Sequence, residues 1–272
     1  MNRLLFLGAG PMAEAIISGI VRKEIMPGTS IYVKNRQNQD RIEELVAKYG
    51  INGFNPEKDQ LDQFDMIILA MQPNDIGEVC RDLKQKIHPQ QLIISIISSV
   101  STEYFEEHLH QQQPIIRVMP NTSSTINESA TAISIGKYVE EKHVNFTKTM
   151  LEAIGTVYVI EESKMDIFTG IAGCGPAYFY AFMEQMEKLA VEHDLPIELA
   201  RNMIAQTILG SAKMVLLSDE DPMVLRKHVA APNGPTEAGL FALEAFGGKK
   251  AIIEAVKAAT ERSKEIGKLF NV

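Results

Sequence analysis

The sequence predicts an α/β domain with a doubly wound parallel sheet, followed by an all-α domain. Three observations carry this. Short, wholly apolar runs recur through the first 160 or so residues, as strands buried on both faces do. Segments with helical spacing separate them, the alternation that builds a parallel sheet. From about Ser163 the strand-like runs stop and helical periodicity takes over.

Leu4-Leu5-Phe6-Leu7 is the first strand, and Gly8-Ala9-Gly10 closes it with a tight turn into a helix over Met12–Arg22. A β-carbon in that turn would hold a bound pyrophosphate off the backbone. The helix start offers free N–H groups and a partial positive charge to the same anion. Ala13 is the third small residue of the pattern. Pro27-Gly28 turns the chain into a second strand, Ser30–Val33, which is followed by Lys34-Asn35-Arg36. A carboxylate here would suit a ribose 2′-hydroxyl. An amide and two cations suit a 2′-phosphate, so NADPH is favoured, with NADH the alternative.

Ile42, Leu45, Val46 and Tyr49 share one helical face. Buried strands follow at Asp65–Ala70, ending in Met71-Gln72-Pro73, at Leu92–Ile97, ending in Ser98-Ser99, and at Ile115–Met119, ending in Pro120-Asn121. Ligands bind outside the carboxyl ends of such strands. Gly8–Met12, Asn35–Arg36, Ala70–Pro73, Ile97–Ser99 and Met119–Asn121 are therefore expected to converge. Ala130–Ile135 and Thr156–Ile160 read as closing strands around a helix near Val144–Ile154.

In the second half, Phe179, Phe182, Met183, Met186, Leu189 and Ala190 form one apolar face. Ile204, Ile208, Ala212 and Val215 form another, and Ile252, Val256, Ala259 and Ile266 a third. Three or so helices make a small core for this length, which points to dimerisation through the helical half. Gly170–Tyr178 holds too much glycine for an undisturbed helix interior, so close packing or a ligand is expected there. Ala231-Pro232-Asn233-Gly234-Pro235-Thr236 is a loop at the start of a helix through Leu243. Thr236 is either its N-cap or part of a carboxylate site.

The composition bounds the rest. The 272 residues are 45% apolar and 23% charged, which reads as a soluble globular protein of two domains. A net charge of −8 with no basic run argues against a nucleic-acid partner. Two cysteines and six scattered histidines give neither a disulfide framework nor a zinc spacing, and no metal is expected. No secretory or membrane-spanning segment is seen, so the expected location is the cytoplasm.

Taken together, these motifs resemble the pyrroline-5-carboxylate reductase family. The resemblance runs along the whole chain, from Phe6–Ala15 through Arg117-Val118-Met119-Pro120-Asn121-Thr122, Gly173–Tyr178, Gly210–Met214 and Pro232–Thr236 to Glu254-Ala255-Val256 and Arg262–Glu265. It implies an α/β Rossmann-type dinucleotide-binding domain over residues 1–160 and an all-α helical dimerisation and substrate domain over 161–272. It also implies NAD(P)H-dependent reduction of L-1-pyrroline-5-carboxylate to L-proline, and a helical dimer that often assembles further into a decamer. The cofactor would contact Leu7, Gly8, Ala9, Gly10, Pro11 and Met12, then Asn35 and Arg36, then Ala70, Met71, Gln72 and Pro73. Its nicotinamide end would lie near Ile96, Ile97 and Ser98. Thr236 would hydrogen-bond the imine nitrogen, Gly234, Pro235 and Thr236 would hold the substrate carboxylate, and Glu162 matches a position near the substrate.

The pattern departs from the family at Ala231, where serine is usual, at Pro235, where a small residue or threonine stands, and at Ile97-Ser98-Ser99, where alanine and glycine are favoured. Bulk at the last of these is expected to face the nicotinamide. Two alternatives remain open: an NADP-dependent reductase of a related cyclic imine, and a non-catalytic nucleotide-binding relative.

Overall fold

The computed structural model describes residues 2–36, 38–72 and 76–270. By packing, the chain divides into two compact units, Met1–Cys174 with Ala258–Val272, and Gly175–Lys257.

The first unit is built on an eight-stranded sheet: β1 Leu4–Leu7, β2 Ile31–Lys34, β3 Asn52–Gly53, β4 Met66–Leu69, β5 Leu92–Ser95, β6 Ile115–Met119, β7 Ser129–Ile135 and β8 Gly155–Val159. Their order is β3-β2-β1-β4-β5-β6-β7-β8. Neighbours are parallel except β6 and β7, which pair antiparallel. The order reverses between β1 and β4, and such a switch point leaves a crevice at the carboxyl ends of the two strands.

The helices of this unit are α1 Pro11–Arg22, α2 Gln39–Tyr49, α3 Ile76–Lys84, α4 Thr102–His108 and α5 Glu141–Leu151. The side-chain alternation of a strand explains how they cover the sheet. Leu4 and Phe6 point into one core with Ile16, Ile20, Leu45 and Met150, beneath α1, α2 and α5. Leu5 and Leu7 point into the other with Cys80, Leu83 and Phe105, beneath α3 and α4. Both faces are dry over the central strands β1 and β4, which are apolar and buried throughout. Each large aliphatic side chain buried this way contributes about 1.5–3 kcal/mol before entropy is counted.

The chain then forms α6 Met165–Phe168 and one π-helical turn, Thr169–Gly173. This is the glycine-rich stretch: a β-carbon on Gly173 would lie 2.8 Å from the Met119 methyl, whereas one on Gly175 would meet nothing within 4 Å.

The second unit comprises α7 Gly175–Glu192, α8 Ile197–Leu217, α9 Pro222–Val229, α10 Pro235–Ala245 and the first part of α11 Gly248–Lys268. Among its larger side chains, Ile204 on α8 is buried, whereas Phe179, Phe182, Met186 and Leu189 on α7 are all about half exposed. The last part of α11 belongs to the first unit, where Ser263 donates to Asp166 at 2.6 Å and Phe270 packs against the α3–α4 core. The expected break near residue 160 thus differs from the packing. The helical segment 165–174 is held to the sheet, by Asn121 among others, and the chain returns to that unit at 258.

Candidate functional site

Gly8 has φ +121°, and a β-carbon there would sit 2.1 Å from the Ala70 carbonyl oxygen. Its N–H donates to Lys34 O at 2.9 Å, while Ala70 N donates to Leu7 O at 2.8 Å. The ends of β1, β2 and β4 are therefore drawn together around this one residue, which only glycine satisfies. Gly10 caps α1 in an extended conformation with Pro11 at the first helical position. A β-carbon on Gly10 would meet nothing within 4 Å, so this face of the turn opens outward. The N–H groups of Met12 and Ala13 lie in the first turn and lack intrahelical acceptors. Open backbone donors and the positive end of α1 form a cradle that fits a pyrophosphate.

Beneath that cradle lies an ionic cluster. The Glu14 carboxylate takes Lys48 Nζ at 2.9 Å and the Tyr49 hydroxyl at 2.8 Å on one oxygen, and Arg41 on the other. These bonds, Lys48's foremost and then those from Arg41 and Tyr49, hold its pKa at about 2 against the usual 4.5 despite partial desolvation. Arg41 also donates from Nε to Ala9 O at 3.2 Å. The sequence reading assigned no role to Glu14, Arg41 or Lys48. Nothing in local spacing signals contacts between residues so far apart.

Asn35 and Arg36 follow β2 directly, on the neighbouring strand end, and Asn38 caps α2 by accepting from Arg41 N at 2.9 Å. Ala70, Met71 and Gln72 follow β4. Pro73 lies outside the described residues. Ile96, Ile97 and Ser98 follow β5, but the Ile97 side chain is 2% exposed and packs with Leu5, Leu69 and Phe105. Its bulk therefore does not face the nicotinamide end as expected. Alternation along the strand carries it inward, on the same side as Ile93, while Ile94 and Ile96 face the other core. Ser98 is exposed.

Glu162 lies in the turn before α6, and its Oε1 takes Arg117 Nη1 at 2.6 Å. The Arg117 side chain is 6% exposed and that of Glu162 31%. The second Arg117 nitrogen, Nη2, is buried without a partner among the described residues. Arg117 is a further residue without a role in the sequence reading, although a cation in the middle of Ile115–Met119 demands a buried anion. Asn121, at the end of β6, donates to Ala172 O at 3.0 Å and so ties the strand end to the π-helical turn.

Thr236 belongs to the second unit. The N-cap of α10 is Gly234, Pro235 is the first helical residue and Thr236 the second. The N-cap role for Thr236 is thereby excluded, and its half-buried hydroxyl is not spent on capping. The loop folds on itself: Gly234 N donates to Ala231 O at 3.0 Å, Asn233 has φ +60°, and Asn233 N donates to Glu237 at 2.8 Å. Proline at the first helical position forfeits an N–H that has no acceptor within the helix. The N–H groups of Thr236 and Glu237 remain in the first turn.

Residues 162–266 match the family model for pyrroline-5-carboxylate reductase dimerisation, and residues 3–99 match that for coenzyme F420-dependent NADP oxidoreductase. The chain is 48% identical to pyrroline-5-carboxylate reductase 1 of Bacillus subtilis over 265 residues, 97% of this chain and 89% of that protein. It is 38% identical to pyrroline-5-carboxylate reductase 2 of the same species over 99% of this chain and 97% of that one. Among solved structures, the Coxiella burnetii pyrroline-5-carboxylate reductase is similar with a TM-score of 0.89 at 30% identity, covering 97% of this chain and 98% of that one. The Plasmodium falciparum pyrroline carboxylate reductase with NADP bound gives 0.86 at 30% identity, covering 98% of each.

Proposed function

The chain belongs to the pyrroline-5-carboxylate reductase family, and from that premise we propose that it reduces L-1-pyrroline-5-carboxylate to L-proline at the expense of NADPH. The observation that carries this is near-full-length likeness to named reductases, at up to 49% identity. NADPH, when bound, supplies the hydride. The turn Leu7–Met12 and the start of α1 hold its pyrophosphate, and the exposed glycine face of Gly10 lets the backbone approach. Asn35 and Arg36 recognise the 2′-phosphate. Ala70–Gln72 and Ile96–Ser98 border the same strand ends, with Ile97 acting through its backbone.

The imino acid is held by the loop before α10. Thr236 N–H and Glu237 N–H receive the carboxylate at the helix start, and Pro235 costs no donor that the helix would have used. The Thr236 hydroxyl accepts from a protonated imine nitrogen and can donate to the amine that replaces it. A protonated imine is already electrophilic, so the protein's work is orientation. Glu162, fixed by Arg117, serves the substrate end.

The match to a dimerisation model and the apolar face on α7 support self-association. We extend the proposal to further assembly into a decamer and to the cytoplasm, where Cys80 and Cys174 would stay the free thiols they are. The test is consumption of NADPH, with NADH in parallel, on addition of synthetic pyrroline-5-carboxylate, with proline identified as the product. Dinucleotide binding without turnover would refute the proposed substrate.

A further inference from the structure

We infer that Arg41 is a positioning residue for the dinucleotide, acting on the pyrophosphate turn through the Ala9 carbonyl without touching the cofactor. The inference rests on the cofactor reading above and goes beyond it. Arg41 stands in the first turn of α2, on the β2 side of β1. Each nitrogen of its guanidinium is engaged by protein: Nε by Ala9 O at 3.2 Å, Nη1 by Glu44 at 2.6 Å, and Nη2 by Glu14. The side chain is 20% exposed, and Glu14 is itself fixed by Lys48 and Tyr49. A basic side chain just past Lys34-Asn35-Arg36 invites assignment to the 2′-phosphate, yet this one is already committed.

The carbonyl and N–H of one trans peptide unit point in opposite directions. With Ala9 O drawn toward Arg41 of α2, the Gly10 N–H of the same unit aims away from that helix, in the turn whose Gly10 face is open, at the end of β1 where the sheet order reverses. That is the crevice at which a dinucleotide lies. A planar fork can hold the carbonyl and two carboxylates at once, and a lysine ammonium cannot reproduce that geometry.

The pyrophosphate is common to NADPH and NADH, whereas the 2′-phosphate belongs to NADPH alone. The experiment is therefore a fluorescence titration of both dinucleotides against wild type, Arg41→Met and Arg41→Lys. Arg41→Met is expected to raise both dissociation constants about tenfold and by the same factor. Arg41→Lys should fall between, and kcat at saturating NADPH should hold. A loss confined to NADPH would place Arg41 on the 2′-phosphate and overturn the inference, as would unchanged dissociation constants for both. If Arg41→Met does not fold, Arg41→Lys carries the same comparison. Failure of wild type to bind either dinucleotide would overturn the cofactor reading, and this inference with it.

Discussion

Thr236 and Glu14 show how differently single residues can be legible. Thr236 stood out because a Pro-Asn-Gly loop announces a helix start, and only the fold could separate a cap from a ligand. With Gly234 as the cap, Thr236→Ala should leave the melting temperature unchanged. It should lower kcat on the imine about 10–100-fold, the loss of one hydrogen bond to a charged group, while NADPH affinity stays as it was. Glu14 gave no such signal, because Arg41 and Lys48 come from the next helix. Its carboxyl is held at about 2, below the usual 4.5, by Lys48 first and then by Arg41 and Tyr49. A depressed carboxyl pKa contributes stability that is present above 4.5 and lost as pH falls toward 2. After screening at this partly exposed site the contribution is about 1–2 kcal/mol. Acid melts should therefore show Glu14→Gln less stable than wild type at neutral pH, with the gap closing as pH approaches 2.

At the scale of elements, the central strands were readable because both of their faces are covered. Ends shifted by a residue or two where polar positions such as Lys34 and Ser129 continue the ladder. β3 has two residues, Asn52 and Gly53, and no apolar run to betray it. α3 carried a signal that went unread: Ile76, Cys80 and Leu83 repeat at helical spacing. The pair joining β6 to the turn before α6 lets the two partners be ranked. Removing the acid strands a guanidinium that is 6% exposed, whereas removing the base leaves a carboxylate that is 31% exposed and can be hydrated. Denaturant titrations should give about 3 kcal/mol of destabilisation for Glu162→Ala and clearly less for Arg117→Met. Equal losses would mean that the two sites share burial after all.

For the whole molecule, the division into an α/β part and a helical part was legible from the change of periodicity, and self-association from a helical half too thin to bury its own apolar faces. Sedimentation should accordingly find no monomer at micromolar concentration. Phe179→Asp combined with Met186→Asp on the exposed face of α7 should release monomers while leaving the helix content intact. Sequence could not show which unit claims each end of the chain, because that depends on Ser263 reaching Asp166 and Phe270 reaching the α3–α4 core. The first unit gives up the chain at Cys174 and regains it at Ala258. The helical unit is thus spliced into the body of the first, and that first body cannot be finished until the segment that returns at Ala258 has been made. Synthesis proceeds at about 5–20 residues per second. The interval between Cys174 and Ala258 therefore spans several seconds, during which the α3–α4 core lacks the Phe270 contact that the returning segment supplies.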